Sequence, residues 1–211
     1  MRGVERLSAG GVAPFLIAAD GLVLVDCGLP RRGDSVVAAL GPRVHDIVAI
    51  VLTHGHPDHI GGVELLRRAT GAPVVAGSGE RGLLDGSGWG EAPRSARGVR
   101  WLMRGPRFVA VDRWVDDGES VAGVRVVATP GHSPGHIALL HEGVLVCGDA
   151  LVTGDRPRES PRSFTSDRAR ARLAVRRLAS LEPEWAVSAH GSPMGDAAEA
   201  LNAFVARFDE V

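Results

Sequence analysis

The chain has no tyrosine, no lysine and only two cysteines in 211 residues, and aromatics make up just 4%. Each gap narrows what the protein can be. Without tyrosine there is no phenol to serve as a proton donor, so an acid for catalysis must come from another residue type. All 24 basic residues are arginine, a bias with its simplest explanation in a GC-rich genome. Cys27 and Cys147 lie in separate apolar runs, which reads as two small buried thiols in a reducing compartment rather than a disulfide. No uninterrupted apolar segment reaches membrane-spanning length. Arg2, Glu5 and Arg6 open the chain, and the apolar run that follows is broken at Asp20-Gly21, so no signal peptide is visible. A cytoplasmic protein with no membrane partner is expected. A net charge of −1 favours neither nucleic acid nor an anionic surface. The 45% hydrophobic and 23% charged content is that of a globular protein, and the length suits one domain over residues 1–211.

Against this plain background stands one dense cluster, Thr53-His54-Gly55-His56-Pro57-Asp58-His59. Four of its seven residues are metal-ligand types, spaced H-x-H-x-D-H between an apolar run at Ile47–Leu52 and a helix-like segment at 60–69. Imidazole and carboxylate donors together suit zinc, iron or manganese. A catalytic zinc usually takes three protein ligands and keeps one position open, so four donors here read as divided between two ions. The rival reading is a polar loop whose histidines only cap a helix, but three His and one Asp rarely crowd so tightly without a cation.

The remainder reads as short strands alternating with helices. Asp20-Gly21 signals a hairpin between apolar runs at 14–19 and 22–26. Helices are expected at 32–40, 60–69, 167–180 and 196–208, and strands at 47–52, 74–76, 109–115, 124–128, 136–140, 144–148 and 185–189. Periodicity fails over 77–107, a Gly- and Arg-rich piece expected to be a lid or insert. Near-continuous apolar strands call for burial on both faces, hence two sheets face to face with helices outside. Arg168, Arg172 and Arg176 share one helix face, which reads as solvated rather than as a nucleic-acid surface.

Further strand ends carry donors beside glycine: Thr129-Pro130-Gly131-His132, Cys147-Gly148-Asp149 and His190-Gly191. Asp26 ends another strand, before Cys27-Gly28. Taken in order across residues 12–192, these motifs resemble the metallo-β-lactamase-fold hydrolase superfamily, in particular its short, single-domain, glyoxalase II-like members. The resemblance implies an α/β fold, a four-layer αβ/βα sandwich. It implies that His54, His56 and His132 hold one metal and that Asp58, His59 and His190 hold a second, with Asp149 bridging. The cofactors would be two zinc ions per chain, with iron or manganese as substitutes, ~3.5–4 Å apart around a hydroxide. Asp26 and His136 would stand behind the ligands and orient them.

Such a site implies hydrolysis of a small acyl substrate, thioester or lactone, with Asp58 also serving as proton acceptor. A thiolate leaves with little acid assistance, which favours a thioester in a chain without tyrosine. The alternative within the same fold is a mononuclear-iron persulfide dioxygenase. A phosphodiester hydrolase and a binding module without catalysis are weaker alternatives. Substrate choice is expected in 77–107, through Trp89, Trp101 and Met103, and in the loop 153–164. The arginines of 77–107 suggest an anionic small molecule as partner. Oligomeric state is not written in the sequence.

Overall fold

The apolar runs fold as the pattern predicts, and the ends of the strands, not their middles, carry the chemistry. The structure, a computed structural model, describes residues 1–90, 93–103, 106 and 108–208, the side chains of Val99, Arg100 and Met103 excepted. Among the described residues, one six-stranded sheet runs in chain order: β1 (Val4–Arg6), β2 (Phe15–Ala19), β3 (Gly21–Val25), β4 (Ile47–Leu52), β5 (Val74–Gly77) and β6 (Arg113–Val115). Its first three strands are antiparallel and β3 to β6 are parallel. The second sheet holds β7 (Ser120–Val121), β8 (Val124–Ala128), β9 (Ile137–His141), β10 (Val144–Val146), β11 (Trp185–Val187) and β12 (Met194–Gly195), again neighbour to neighbour. Only β10 and β11 pair in parallel there. The helices are α1 (Gly33–Leu40), α2 (Pro57–Ile60), α3 (Val63–Thr70), α4 (Arg81–Leu84), α5 (Arg94–Met103), α6 (Arg168–Ala179) and α7 (Ala197–Ala206).

Alternation of side chains along the strands makes the four layers. Ile17, Val23, Val25 and Val51 of the first sheet pack against Val124, Val126, Leu139 and Val146 of the second, filling the space between the sheets. The opposite faces carry Leu24, Ile50 and Val74 under α1 and α3, and Val127, Leu145 and Ala186 under α6 and α7. Each such buried Val, Leu or Ile contributes about 1.5–3 kcal/mol relative to exposure. β4 is buried at five of its six positions, as its unbroken apolar run requires of a central parallel strand. At the β2–β3 hairpin Gly21 has φ of 131°, and a side chain there would meet Val48 at 2.7 Å.

The structure departs from sequence expectation at the short strands β1, β7 and β12, which were not expected, at the strand expected over 109–115, which is only Arg113–Val115, and in two larger places. The helix expected at 60–69 is two pieces, α2 and α3, parted at Gly61-Gly62. A Cβ on Gly61 would lie 2.1 Å from the Pro30 nitrogen, so the break lets the turn at 28–30 pack directly on the chain behind the His cluster. The segment 77–107 is not structureless: it holds two 3₁₀ turns, Ser78–Glu80 and Ser87–Gly90, besides α4 and α5. Leu83, Trp89, Ala96 and the nearby Phe164 form a small apolar cluster of their own. The two 3₁₀ turns and α4, of three to four residues each, show no periodicity, which is why pattern reading missed them; α5, with ten residues, is interrupted by Gly98 and turns Trp101 to solvent. Among the described residues no helix is long and apolar enough to cross a membrane.

Candidate metal centre

Loops at the carboxyl ends of β3, β4, β8, β10 and β11 converge along one edge of the stacked sheets. β4 delivers Thr53 and then His54, His56, Asp58 and His59, the last two on α2, whose first turn is set by Pro57. Asp26, just past β3, adopts φ of 61°, a left-handed conformation costing on the order of 1–3 kcal/mol for a non-glycine residue. That twist aims its carboxylate at three donors: Thr53 N–H at 2.8 Å, the Thr53 hydroxyl at 2.8 Å and His59 Nδ1 at 2.7 Å. Because His59 Nδ1 donates to Asp26, its Nε2 is left bare on the side facing Asp149 and Asp58, 3.4 and 3.8 Å away.

On the second sheet, His136 fixes the loop after β10. The Asp149 N–H donates to His136 Nε2 at 2.9 Å, so His136 is a neutral imidazole whose Nδ1–H meets the Thr129 hydroxyl at 2.7 Å. Burial pushes its pKa down to about 3, consistent with that role. The Ser160 hydroxyl donates to the Asp149 carbonyl at 2.6 Å and pins the same turn. Asp149 then presents its carboxylate 3.4 Å from His190 Nε2 and 3.7 Å from His132 Nε2. The expected donors thus come together. Donor atoms of His54, His56 and His132 lie within 4.8 Å of one another, as do those of Asp58, His59 and His190. A third trio, His54, His59 and Asp149, overlaps both.

The donor atoms are also unpaired. His54 Nε2, His56 Nε2, His59 Nε2, His132 Nδ1 and Asp149 Oδ1 are buried without a hydrogen-bond partner. Leaving one buried polar group unsatisfied costs about 1–3 kcal/mol, and five such atoms beside three overlapping donor trios fit a cluster that holds cations. Electrostatics point the same way. Burial, then the neighbouring imidazoles, hold His54 well below its ordinary pKa; burial depresses His132 similarly and brings His56 to about 4. All three are therefore neutral with free lone pairs near pH 7. Burial opposes charge on Asp58, yet His59 and His190 outweigh it and hold the carboxyl at about 2. Burial likewise opposes charge on Asp149, and His59 with its neighbours outweighs it. His190, at the rim, is raised to about 9 by hydrogen bonds to Asp149 and Asp58. Three neutral imidazoles and two ionised carboxylates, joined by His59 and His190 once these give up a proton, fit two hard-to-borderline divalent cations.

One residue of this site was not foreseen. Glu80, 1% exposed, accepts hydrogen bonds from Gly55 N–H at 2.8 Å, Gly135 N–H at 2.8 Å and the Ser133 hydroxyl at 2.9 Å. Its sequence signal was faint: like the ligands, it follows a strand end, β5, among glycines.

Five of the donors, His56, Asp58, His132, Asp149 and His190, floor a cavity of about 490 Å³ with apolar walls from Leu29, Pro57, Ala96, Val152, Pro161 and Phe164. Trp89 is buried behind that wall, its ring 6.3 Å from that of His56 and its Nε1 donating to the Leu83 carbonyl at 2.7 Å. Trp101 is 81% exposed, and the Met103 side chain lies outside the described residues. The described arginines of 77–107 do not line the cavity: Arg81 stacks on Trp114 at 4.4 Å, and Arg94 and Arg97 are exposed. Glu91, Arg104 and Arg107, and the Arg100 side chain, lie outside the described residues. The arginine on the cavity wall is Arg158, beside Glu159, which Arg168 and Arg172 clamp at 2.5 and 2.7 Å. That face of α6 is thus tied to the cavity loop rather than simply solvated. His45 is exposed and His141 half-buried against the Ala18 carbonyl, while Cys27 and Cys147 are buried free thiols.

Two face-to-face mixed sheets with helices outside, and a His/Asp cluster along one edge, define a metal-binding αββα protein. The sequence model described as the Metallo-beta-lactamase superfamily matches residues 8–190, and the chain belongs to that superfamily. It is 32% identical over 201 residues to a probable metallo-hydrolase, YflN, of Bacillus subtilis, covering 82% of this chain and 76% of that one. It is 36% identical over 125 residues to a hydroxyacylglutathione hydrolase of Alkalilimnicola ehrlichii, covering 59% of this chain but only 41% of the relative. Among solved structures, TTHA1623 in a di-iron-bound form superposes with a TM-score of 0.75 at 26% identity, covering 93% of this chain and 96% of that one. A metallo-beta-lactamase family protein of Thermus thermophilus, TTHA1429, superposes with a TM-score of 0.73 at 25% identity, over 100% of this chain and 80% of that one.

Proposed function

We propose that the chain is a metal-dependent hydrolase that opens a small anionic acyl substrate, a thioester in preference to a lactone. The observation that carries this reading is the cluster of donor side chains, five of which line the floor of an apolar cavity of acyl size. His54, His56 and His132 would hold one cation, Asp58, His59 and His190 the other, and Asp149 would be shared. Bound divalent cations supply the acidified water and the Lewis acidity that hydrolysis needs at neutral pH.

The chain's own residues do the rest. Asp58, ionised and part-exposed at the cavity floor, accepts the proton that water gives up as its oxygen bonds to the acyl carbon. The carbon–sulfur bond then breaks and sulfur leaves with the electron pair, taking up a proton from solvent. No tyrosine stands by to protonate a poorer leaving group, which is why a thioester suits this chain. Leu29, Val152 and Phe164 bury the acyl group and keep bulk water from it. Arg158 lines both this cavity and a wider opening shared with Arg6, Arg156 and a single carboxylate, Asp155, so an anionic tail is the natural complement. The hydroxyacylglutathione hydrolases among the relatives fit a thioester reading.

The test is elemental analysis of purified protein alongside a panel of thioesters, lactones, phosphodiesters and lactams. Two divalent ions per chain with thioester turnover is the expected result. One iron, with oxygen uptake on glutathione persulfide, would replace this reading with the dioxygenase one. Arg158→Glu should raise KM for a carboxylate-bearing thioester about tenfold or more, equivalent to about 1.4 kcal/mol, and leave a neutral analogue nearly untouched.

A further inference from the structure

Among the described residues, Asp26 and Glu80 are the buried carboxylates beside the cluster that belong to none of the three donor trios; Asp26 holds Thr53 and His59, whereas the three partners of Glu80 lie elsewhere and are unevenly placed. Gly55 lies between His54 and His56; Ser133 and Gly135 directly follow His132. One carboxylate therefore grips both loops that carry the three-histidine trio. None of its hydrogen bonds reaches α2, which carries Asp58 and His59, or the loop of His190, although Gly55 and α2 follow β4 on one connection. The seam around it has no slack. A Cβ on Gly135 would fall 1.9 Å from the Glu80 nitrogen, and one on Gly77 2.5 Å from the Gly135 carbonyl. Backbones at this spacing fix where Glu80 sits, and Glu80 in turn fixes how far apart the two loops stand. The result is legible in the rings: His56 Nδ1 and His132 Nε2 are held 3.0 Å apart.

We propose that Glu80 is a positioning residue for the three-histidine half of the metal centre, setting the separation of the loops that carry His54, His56 and His132 and leaving the other half untouched. It acts through those loops and touches no donor atom itself. This rests on the reading of the two trios as cation sites. A glutamine cannot substitute. Two backbone N–H groups point at Glu80, one on each oxygen, and an amide offers a single acceptor, so one N–H would face an NH₂ group.

The experiment measures zinc affinity, by competition with a chromophoric chelator, in two backgrounds. His190→Ala keeps the three-histidine trio whole, and His56→Ala keeps the other trio whole. Adding Glu80→Gln should weaken zinc binding about 10–100-fold in the His190→Ala background, the usual effect of removing a residue that orients ligands. In the His56→Ala background the affinity should not change. Equal weakening in both backgrounds would mean that Glu80 merely braces the fold, and no weakening in the first would mean that it positions nothing; either overturns the proposal. Should Glu80→Gln fail to unfold cooperatively, Ser133→Ala removes one of the three donors while keeping the carboxylate. A loss confined to the His190→Ala background then supports the proposal, and no loss sinks it. If neither parent binds zinc, the cation reading itself fails and takes this inference with it, an outcome distinct from the others.

Discussion

Asp149 is the side chain at which the two halves of the donor cluster meet. His59 and His190 lie 3.4 Å from its oxygens and His132 3.7 Å, and its Oδ1 has no hydrogen-bond partner. Its backbone is held independently of its carboxylate, by the N–H to His136 and the carbonyl to Ser160. Asp149→Ala should therefore empty the centre without dismantling the loop. The expected result is a metal content well below two per chain and no turnover, with cooperative unfolding retained in chelator. Wild-type metal content in the variant would remove Asp149 from its shared position. At this scale the donors were readable because histidine and aspartate beside glycine at a strand end have few other reasons to be there. Glu80 was not, because a glutamate among arginines reads as solvated until the chain brings Ser133, 53 positions away, on top of it. Arg158, the proposed anion contact, was not singled out within the expected substrate loop 153–164 for a related reason. Pattern shows which segments are rich in charge, while the fold decides which of those charges face the cavity.

Elements sort into those whose length carried a pattern and those too short to hold one. The strands β2 to β6 and β8 to β11, with the helices α1, α6 and α7, were foreseeable from apolar runs, hairpin signals and amphipathic spacing, whereas the short β1, β7 and β12 were not. The helices inside 77–107 were not, since α4 has four residues and α5 turns Trp101 to solvent, not inward. What holds that segment is the small cluster of Leu83, Trp89, Ala96 and Phe164, separate from the three main cores. Trp89→Ala would cost about 3–5 kcal/mol in a main core, but here the loss falls on a local unit that can open without global unfolding. The expected phenotype is a raised KM with the same two-ion content, because Ala96 and Phe164, which line the cavity, lose their backing. Loss of metal in Trp89→Ala would show instead that the segment is part of the scaffold of the centre.

At the scale of the whole molecule, the metal-free protein carries a cluster whose protonation sets its stability. Four histidines, His54, His56, His132 and His136, are held below their ordinary pKa by burial, His56 to about 4 and His136 to about 3. A base depressed in the folded state gives stability present above its unfolded pKa near ~6.5 and lost as pH falls through the folded value. Burial also raises Glu80 to about 7, and that group works the other way, its contribution fading as pH rises from ~4.5 toward 7. One group against four leaves stability rising with pH in this window. Above ~6.5 the sign reverses. Hydrogen bonds to Asp149 and Asp58 raise His190 to about 9; His59 is also raised, its surrounding carboxylates overcoming burial, and both contributions disappear as these groups deprotonate. Metal-free protein should therefore be most stable near pH 6.5, with each titrating group adding up to about 1.4 kcal/mol per pH unit to the slopes. Bound cations need His59 and His190 unprotonated, so binding releases protons and strengthens with pH on this limb. At a free ion concentration 100 times Kd they add about 2.7 kcal/mol. Urea unfolding between pH 5 and 9, in chelator and in zinc, reads both effects. The curve in chelator should peak and then fall toward pH 9, and the curve in zinc should keep its height there. If the metal-free protein is as stable at pH 9 as at pH 6.5, His59 and His190 are not charged in the empty centre, and the carboxylates around them do not hold them as described.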